Sequence, residues 1–541
     1  MLIAVAPTSP NAGGLQRLDA DEPASTTDDL ATTIARVENE HHPRWVWADT
    51  GSIYRNLTAA GVRVQRSHDL TMAERALLGY SGRWGESASV AAAWARARGQ
   101  PPPPEPPMSE PTQPTLFSTA GSPPLEAIAR VHQEQQDAVA RPHGPEAFEP
   151  RPIGPRQLDL LITADSAGEL AATEMSHVGL PWRADIHDRL LADALGPRPR
   201  HGGRPAKLQD LAEQIASALH TPLLNPDSPA EVLRAFAKAG VTLPSTRARL
   251  LKQIEHPAIE PLLRYKALSR LHTANGWAWL ASWVRDGRFR PEYVAAAVVS
   301  GRWATRGGGA LQIPHSVRSA VVADPGWVLL VADAQQLEPR VLAALSGDRA
   351  MGEAARHGDL YAAVAEQSFN GDRKAAKVGL ISAMYGGASP AKAILQRRYP
   401  QALALLEQAA RTGEAGGLVR SALGRTCPPG TAGWEGLSED QSVRRSRDRG
   451  RFTRNFIIQA SAADWAGVML ALLRRRLSGS KAELVFFCHD EVVVHAPAEE
   501  AERAADDIRQ AAAEATRLVL GEVVAPLPLA PTAVRCYADG K

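Results

Sequence analysis

Two aspartates hold the first chemical promise in this sequence. Asp333 closes the continuous apolar run WVLLVA (Trp327 to Ala332) and is followed by AQQLEPRVLAALSGD, a helix-like stretch, so a carboxylate sits where a strand meets a helix. Asp490 stands between His489 and Glu491 and interrupts ELVFFCHDEVVVHAP, where a hairpin would carry the three polar groups at its tip. Brought together, two carboxylates repel unless cations neutralise them, and two divalent ions about 4 Å apart are what in-line phosphoryl or nucleotidyl transfer uses. Between them lies DRKAAKVGLISAMYGG, in which Arg373, Lys377, Ile381 and Tyr385 recur at a spacing that places them along one helical stripe. The two cations suit a triphosphate, Ile381 and Tyr385 suit a flat base, and Gly386 and Gly387 end the helix. Singly, Asp333 reads as a helix cap, His489 and Asp490 as turn residues, and Arg373 and Lys377 as a solvated face. Their joint order gives the reading its force.

The elements that must position these groups belong to a long chain. At 541 residues it is expected to form two to four domains. With 61 Lys plus Arg against 59 Asp plus Glu, the net charge of +2 makes no whole-chain case for a polyanionic partner, so any basic groove is local. Cys427, Cys488 and Cys536 lie far apart with no paired spacing, which argues against a disulfide framework or a structural zinc site and fits a reducing compartment. The N-terminus lacks a signal-peptide pattern, and no apolar stretch is expected to reach the roughly 18 residues a membrane span needs, so the cytoplasm is the expected location. Residues 1 to about 95 alternate apolar runs (LIAVA, RWVWAD, GVRVQ) with helix-like segments, the pattern of a small α/β unit. PPPPEPPMSEPTQP then reads as an extended tether, because proline fixes φ and lacks an amide donor. From about 155 to 290 the periodicity is helical, with NPDSPAEVL as a start signal, and the remainder mixes strands and helices.

In this order and spacing the three segments resemble motifs A, B and C of family A (polymerase I-like) DNA polymerases, over roughly 155 to 541. Motif A, Asp-Tyr-Ser-Gln-Ile-Glu-Leu-Arg, is matched by Asp333, Gln336, Glu338 and Arg340. Motif B is matched by Arg373, Lys377, position 381 and Tyr385-Gly386, and motif C by His489, Asp490 and Glu491. SGRW with LQIP, and RFTRNFIIQASAADW, resemble further family segments. The wording is similar to a divergent actinobacterial group labelled bifunctional 3′-5′ exonuclease/DNA polymerase. This chain departs in Ala334-Gln335 for Tyr-Ser, in Pro339, in Ile381 for an aromatic, and in Tyr361 where many members have a triphosphate-binding His.

The resemblance implies a template-directed DNA polymerase in which Asp333 and Asp490 ligate two Mg2+ ions, with Mn2+ as a substitute, and Glu491 joins the catalytic set. Glu338 would guard the sugar pocket, Arg373 and Lys377 would grip the dNTP triphosphate, and Ile381 and Tyr385 would meet its base. Arg302, Arg451, Arg454, Asn455, Gln459 and His489 would touch primer-template DNA. Arg444, Arg445, Arg447 and Arg449 add a phosphate track.

The implied architecture is α/β multidomain. A degenerate exonuclease-like (RNase H-like) domain at 1–100 and a Pro-rich linker at 101–154 precede a right-hand polymerase. That polymerase has thumb and palm-entry helices at 155–290, palm at 291–347, fingers at 348–450 and palm again at 451–541, with an antiparallel palm sheet. Pro7, Ser9 and Ile53 stand where the front domain's catalytic acids belong, and Asp69 reads as an N-cap, so proofreading is expected to be absent. With no flap-nuclease region expected upstream, the implied role is DNA repair or gap filling by a monomer in the bacterial cytoplasm at the nucleoid, without a membrane. The alternative is a primer-template-binding relative that has lost turnover.

Overall fold

The computed structural model describes residues 1–103, 123–200, 202–356, 358–387, 390–430, 439–522 and 525–540. They form two compact units: Met1–Val178 with Glu292–Arg306 and Leu330–Ala533, and Gly179–Pro291 with Gly307–Leu329 and Val534–Lys541.

The first unit opens with a sheet of order β3-β2-β1-β4-β5. Its strands are β1 (Leu2–Pro7), β2 (Gly13–Arg17), β3 (Ser25–Thr27), β4 (Arg44–Trp47) and β5 (Arg66–Asp69). β1, β2 and β3 pair antiparallel, whereas β4 and β5 run parallel to β1. Around it stand α1 (Leu30–His41), α2 (Thr50–Ala59), α3 (Leu70–Tyr80) and α4 (Val90–Ala97). The apolar runs LIAVA and RWVWAD become β1 and β4, as expected. GVRVQ does not become a strand: the ladder takes Arg66–Asp69, while Val62 and Val64 are buried in the core ahead of it. β2 and β3 went unread because GGLQR and STT carry almost no apolar alternation.

The expected linker 101–154 is only partly a linker. Residues 104–122 lie outside the described residues, but α5 (Leu125–Ala140) follows and buries Ile128 and Val131 against Ala4, Val46 and Leu70 of the front sheet. Next come β6 (Ala147–Phe148) and α6 (Pro155–Val178), which packs on α2, α3 and β5 and so groups with the front rather than with the helices after it.

The second unit holds β7 (Leu180–Pro181), α7 (Ala184–Leu195), α8 (Ala206–Ala218), α9 (Pro229–Lys238), α10 (Ala248–Leu251), α11 (Ile259–Asn275), α12 (Trp277–Trp283), β8 (Val284–Arg285) and β9 (Arg288–Phe289). Ser228 caps α9 through Glu231 N–H with Pro229 in the first turn, as the sequence signal requires. The helical run expected to continue through IEPLLRYKALSRLHTANGWAWL breaks at Gly276, where any Cβ would stand 2.1 Å from the carbonyl oxygen of His272.

Back in the first unit, β10 (Glu292–Val294) pairs with β11 (Ala304–Arg306), and β12 (Trp327–Asp333) enters a sheet of order β14-β15-β12-β16. Helices α13 (Leu337–Ser346), α14 (Arg349–Arg356), α15 (Leu360–Ser368), α16 (Arg373–Met384), α17 (Pro390–Arg398) and α18 (Pro400–Glu414) lead to β13 (Leu418–Val419), which pairs parallel with β6. The long α19 (Glu439–Arg476) is followed by the hairpin β14 (Glu483–Cys488) and β15 (Glu491–Pro497), then α20 (Ala501–Leu520) and β16 (Thr532–Val534). By length and composition α19 could cross a membrane, which corrects the expectation that no stretch is long enough. Most of its apolar window is instead buried inside the molecule, packed by α6, α18 and α20.

Candidate active site

Asp333 is the last residue of β12, and Asp490 lies in the turn between β14 and β15, next to it in the sheet. The amide of Ala334 donates to the carbonyl oxygen of Asp490 at 2.8 Å, so the two aspartates occupy adjacent strand ends, and neighbouring strands lie about 4.8 Å apart. Asp333 is not a helix cap: three residues separate it from α13, whose N-cap is Gln336 in the left-handed region at φ 62°. At the hairpin tip His489 is also left-handed, at φ 60°, and Asp490 N–H donates to Cys488 C=O. This tight turn sends the Asp490 side chain into the cleft it shares with Asp333.

That cleft has a volume of about 490 Å³ and is walled by α13 on one side and α16 on the other. All four stripe residues of α16, Arg373, Lys377, Ile381 and Tyr385, line it together with Arg302, Asp333, Glu338, His489 and Asp490. α16 begins under an Asp372 cap and ends at Tyr385, with Gly386 at φ 79° turning the chain away. Its inner face carries Gly379, where a Cβ would stand 2.9 Å from the Phe369 ring, so glycine sets the depth of the helix.

Glu338, in the first turn of α13, is held from two sides: the Arg302 guanidinium and the Tyr385 hydroxyl both donate to its carboxylate. Burial first, then that carboxylate, raises the Tyr385 pKa. Tyr361, unassigned in the sequence beyond its departure from a histidine, lies with Arg373 and Lys377 each 5.8 Å from its ring. Burial, with the charges of Glu338 and Tyr385 behind it, pushes its phenol up to about 12, so it remains a hydrogen-bond donor. Partial burial, then the Arg302 charge, lowers the His489 pKa and favours neutral imidazole.

Other expected residues are placed differently. Glu491 opens β15 with a buried side chain and does not line the cleft. Arg454 is buried, donates to Ala383 C=O at 3.2 Å and pairs with Glu407 at 2.9 Å. It braces the end of α16; helix periodicity could not separate it from its exposed neighbours. Arg449 likewise turns inward to Pro428 C=O. Arg451 stays exposed and paired with Asp448. Asn455 and Gln459 follow on α19; the Asn455 Oδ1 is buried without a hydrogen-bond partner among the described residues, and Gln459 lies close enough to Tyr385 to influence its hydroxyl.

Two positioning roles escaped the sequence reading, that of Arg340, matched there only by type, and that of Asp359. Arg340 is buried and spends its guanidinium on carbonyls of Gln335, Ala355, Gly358 and Pro526, tying the turn after Asp333 to the chain before α15. Asp359 caps α15 and pairs with Arg373 at 2.6 Å. Nothing in GDLYAAV distinguishes it from an ordinary cap.

Among the described residues no group of three or more His, Cys, Asp or Glu side chains is set to hold a metal. Two carboxylates still fit Mg2+, a hard cation that binds through one or two carboxylates and takes its remaining ligands from water and substrate phosphates.

The family model described as DNA polymerase family A matches residues 205–393 and 387–528. The thermostable DNA polymerase I of Thermus filiformis is 30% identical over 282 residues, 46% of this chain and 33% of that protein. The DNA polymerase I of Chloroflexus aurantiacus is 26% identical over 380 residues, 64% of this chain and 38% of that protein. The DNA polymerase of Mycobacterium phage L5 is 33% identical over 208 residues, 36% of this chain and 32% of that protein. The chain thus matches about a third of each relative's length. Among solved structures, the POL domain of Pol1 from M. smegmatis, in complex with DNA primer-template and dNTP, superposes with a TM-score of 0.73 at 18% identity, covering 99% of this chain and 95% of that one.

Proposed function

The chain belongs to DNA polymerase family A, and on that premise we propose that it extends a primer 3′ end by template-directed nucleotidyl transfer in the cleft of Asp333 and Asp490. One observation carries the reading: the Ala334–Asp490 bond holds both aspartates at the floor of the cleft whose wall presents Arg373, Lys377 and Tyr385. The primer 3′-hydroxyl attacks the α-phosphorus of a dNTP and pyrophosphate leaves. Asp333 and Asp490 would hold the Mg2+ ions, which supply charge neutralisation at the attacking and leaving oxygens. Arg373 and Lys377 bind the triphosphate, with the Tyr361 phenol beneath both cations. Glu338, pinned by Arg302 and Tyr385, forms a carboxylate wall against a sugar 2′-hydroxyl. Arg302 and His489 line the cleft and would face the primer-template pair, with Asn455 and Gln459 of α19 completing the set and Arg451 and the arginines at 444–447 on its phosphates.

The front sheet reads as an exonuclease-like domain without the exonuclease. Asp49, Asp69 and Glu169 interact electrostatically there, but Asp69 is fully buried on backbone amides and Glu169 accepts from Ala295 N–H, which leaves Asp49 alone of the three exposed. The remaining proposals are the division into thumb, palm and fingers at the boundaries given above, a monomer at the bacterial nucleoid, and gap filling in repair as the role. Primer extension with Mg2+ and dNTPs tests the central claim. Templated extension that Asp490→Ala stops, with primer-template still bound, supports it; a protein that binds DNA without extending it is the turnover-deficient relative instead.

A further inference from the structure

The Arg373 guanidinium does not reach the cleft unguided. Its Nε donates to Asp359 Oδ2 at 2.6 Å, while Asp359 Oδ1 accepts from the amides of Tyr361 and Ala362 at 3.0 and 3.2 Å and from Gln336 Nε2 at 2.9 Å. The Gln336 carboxamide returns the contact, its Oε1 accepting from Leu360 N–H at 2.8 Å. One carboxylate therefore joins the turn that follows Asp333, the start of α15 and the first residue of α16. Using Nε for this contact leaves the two terminal guanidinium nitrogens of Arg373 for phosphate oxygens, the paired geometry in which arginine recognises phosphate best. The pair is half-exposed, with side-chain accessibilities of 54% and 36%, so it adds little stability and its value is directional.

We infer that Asp359 is a positioning residue for nucleotide binding: it aims the Arg373 guanidinium at the triphosphate and fixes it to the turn that carries Asp333. The inference rests on the polymerase reading. Asp359→Asn isolates it, because the amide oxygen keeps the helix cap and the Gln336 bond while the amide nitrogen turns a second donor toward Arg373 Nε. In a ternary complex on a dideoxy-terminated primer-template, Asp359→Asn is expected to weaken dNTP binding about fivefold, while on an extendable primer kcat stays within about twofold and the melting temperature is unchanged. In an Arg373→Ala background the same change is expected to do almost nothing, since its effect passes through that guanidinium. A merely structural role would give the full loss in both backgrounds and overturn the inference, as would unchanged or tighter dNTP binding in Asp359→Asn. A wild-type protein that fails to bind dNTP would overturn the polymerase reading instead, which the single variant cannot mimic.

Discussion

Strands β5 and β12 each end on an aspartate, and the two side chains have opposite fates. After Asp69 the helix α3 begins at the next residue, Leu70, so the carboxylate is drawn back onto backbone donors: Met72 N–H at 2.9 Å and Thr50 N–H at 2.7 Å. It is fully buried, and burial, with the Asp49 charge behind it, pushes its pKa up to about 7. After Asp333 the turn Ala334-Gln335-Gln336 delays α13 until Leu337, which leaves the carboxylate at the floor of an open cleft. Aspartate at a strand end is thus a cap or a candidate ligand according to where the next helix starts.

The largest contrast expected is in catalysis. Asp333→Asn should lower primer extension on the order of 10³-fold in single-turnover assays, while Asp69→Asn should leave extension per folded molecule unchanged and cost about 1–3 kcal/mol in urea unfolding, because its amide NH2 would face the Thr50 N–H. Equal losses of extension would break the comparison. Next in size is Arg474→Ala at the junction of the front sheet and α19. Arg474 is buried against Glu174 and the Tyr54 hydroxyl, and its removal strands a buried carboxylate, so urea unfolding should show a loss of about 3–5 kcal/mol with the active-site aspartates untouched. Glu338→Ala should relax discrimination against rNTPs about tenfold or more, measured as the ratio of kcat/KM for dNTP and rNTP.

The smallest effect is in pH. Burial, then the Asp69 charge, raises Glu169 to about 8, so between its unfolded value and that point the native state holds a proton that the unfolded state has lost, and stability falls as pH rises. His68 and His132, both lowered to about 4 by burial, are neutral in both states above about 6.5 and do not contribute there. From pH 6.5 to 8 the unfolding free energy should therefore decline in the wild type and decline less in Glu169→Gln.

The half of the chain that carries Asp333 and Asp490 was legible because its signals are local. WVLLVAD, the hairpin around His489-Asp490 and the spacing of Arg373, Lys377, Ile381 and Tyr385 each specify an element and a face, and the folded chain brings them to one cleft. What stayed hidden depends on contacts between distant segments. Asp359 reaches Arg373 14 residues on, Arg340 reaches Pro526 186 residues on, and Arg454 is turned inward by Glu407. In the front half, β2 and β3 carry no alternation to read, and the run GVRVQ supplies core without supplying a strand.

The length of α19 has one more implication. Its 38 residues make a rod of roughly 57 Å, with Arg454 bracing α16 and Arg474, roughly 30 Å further along, moored to Tyr54 of α2 and to Val64 and Gln65 just before β5. A protein starting after residue 154 would keep the Arg474–Glu174 pair and lose the contacts to Tyr54, Val64 and Gln65, so the front sheet adds a second hold on the far end of the rod rather than the only one.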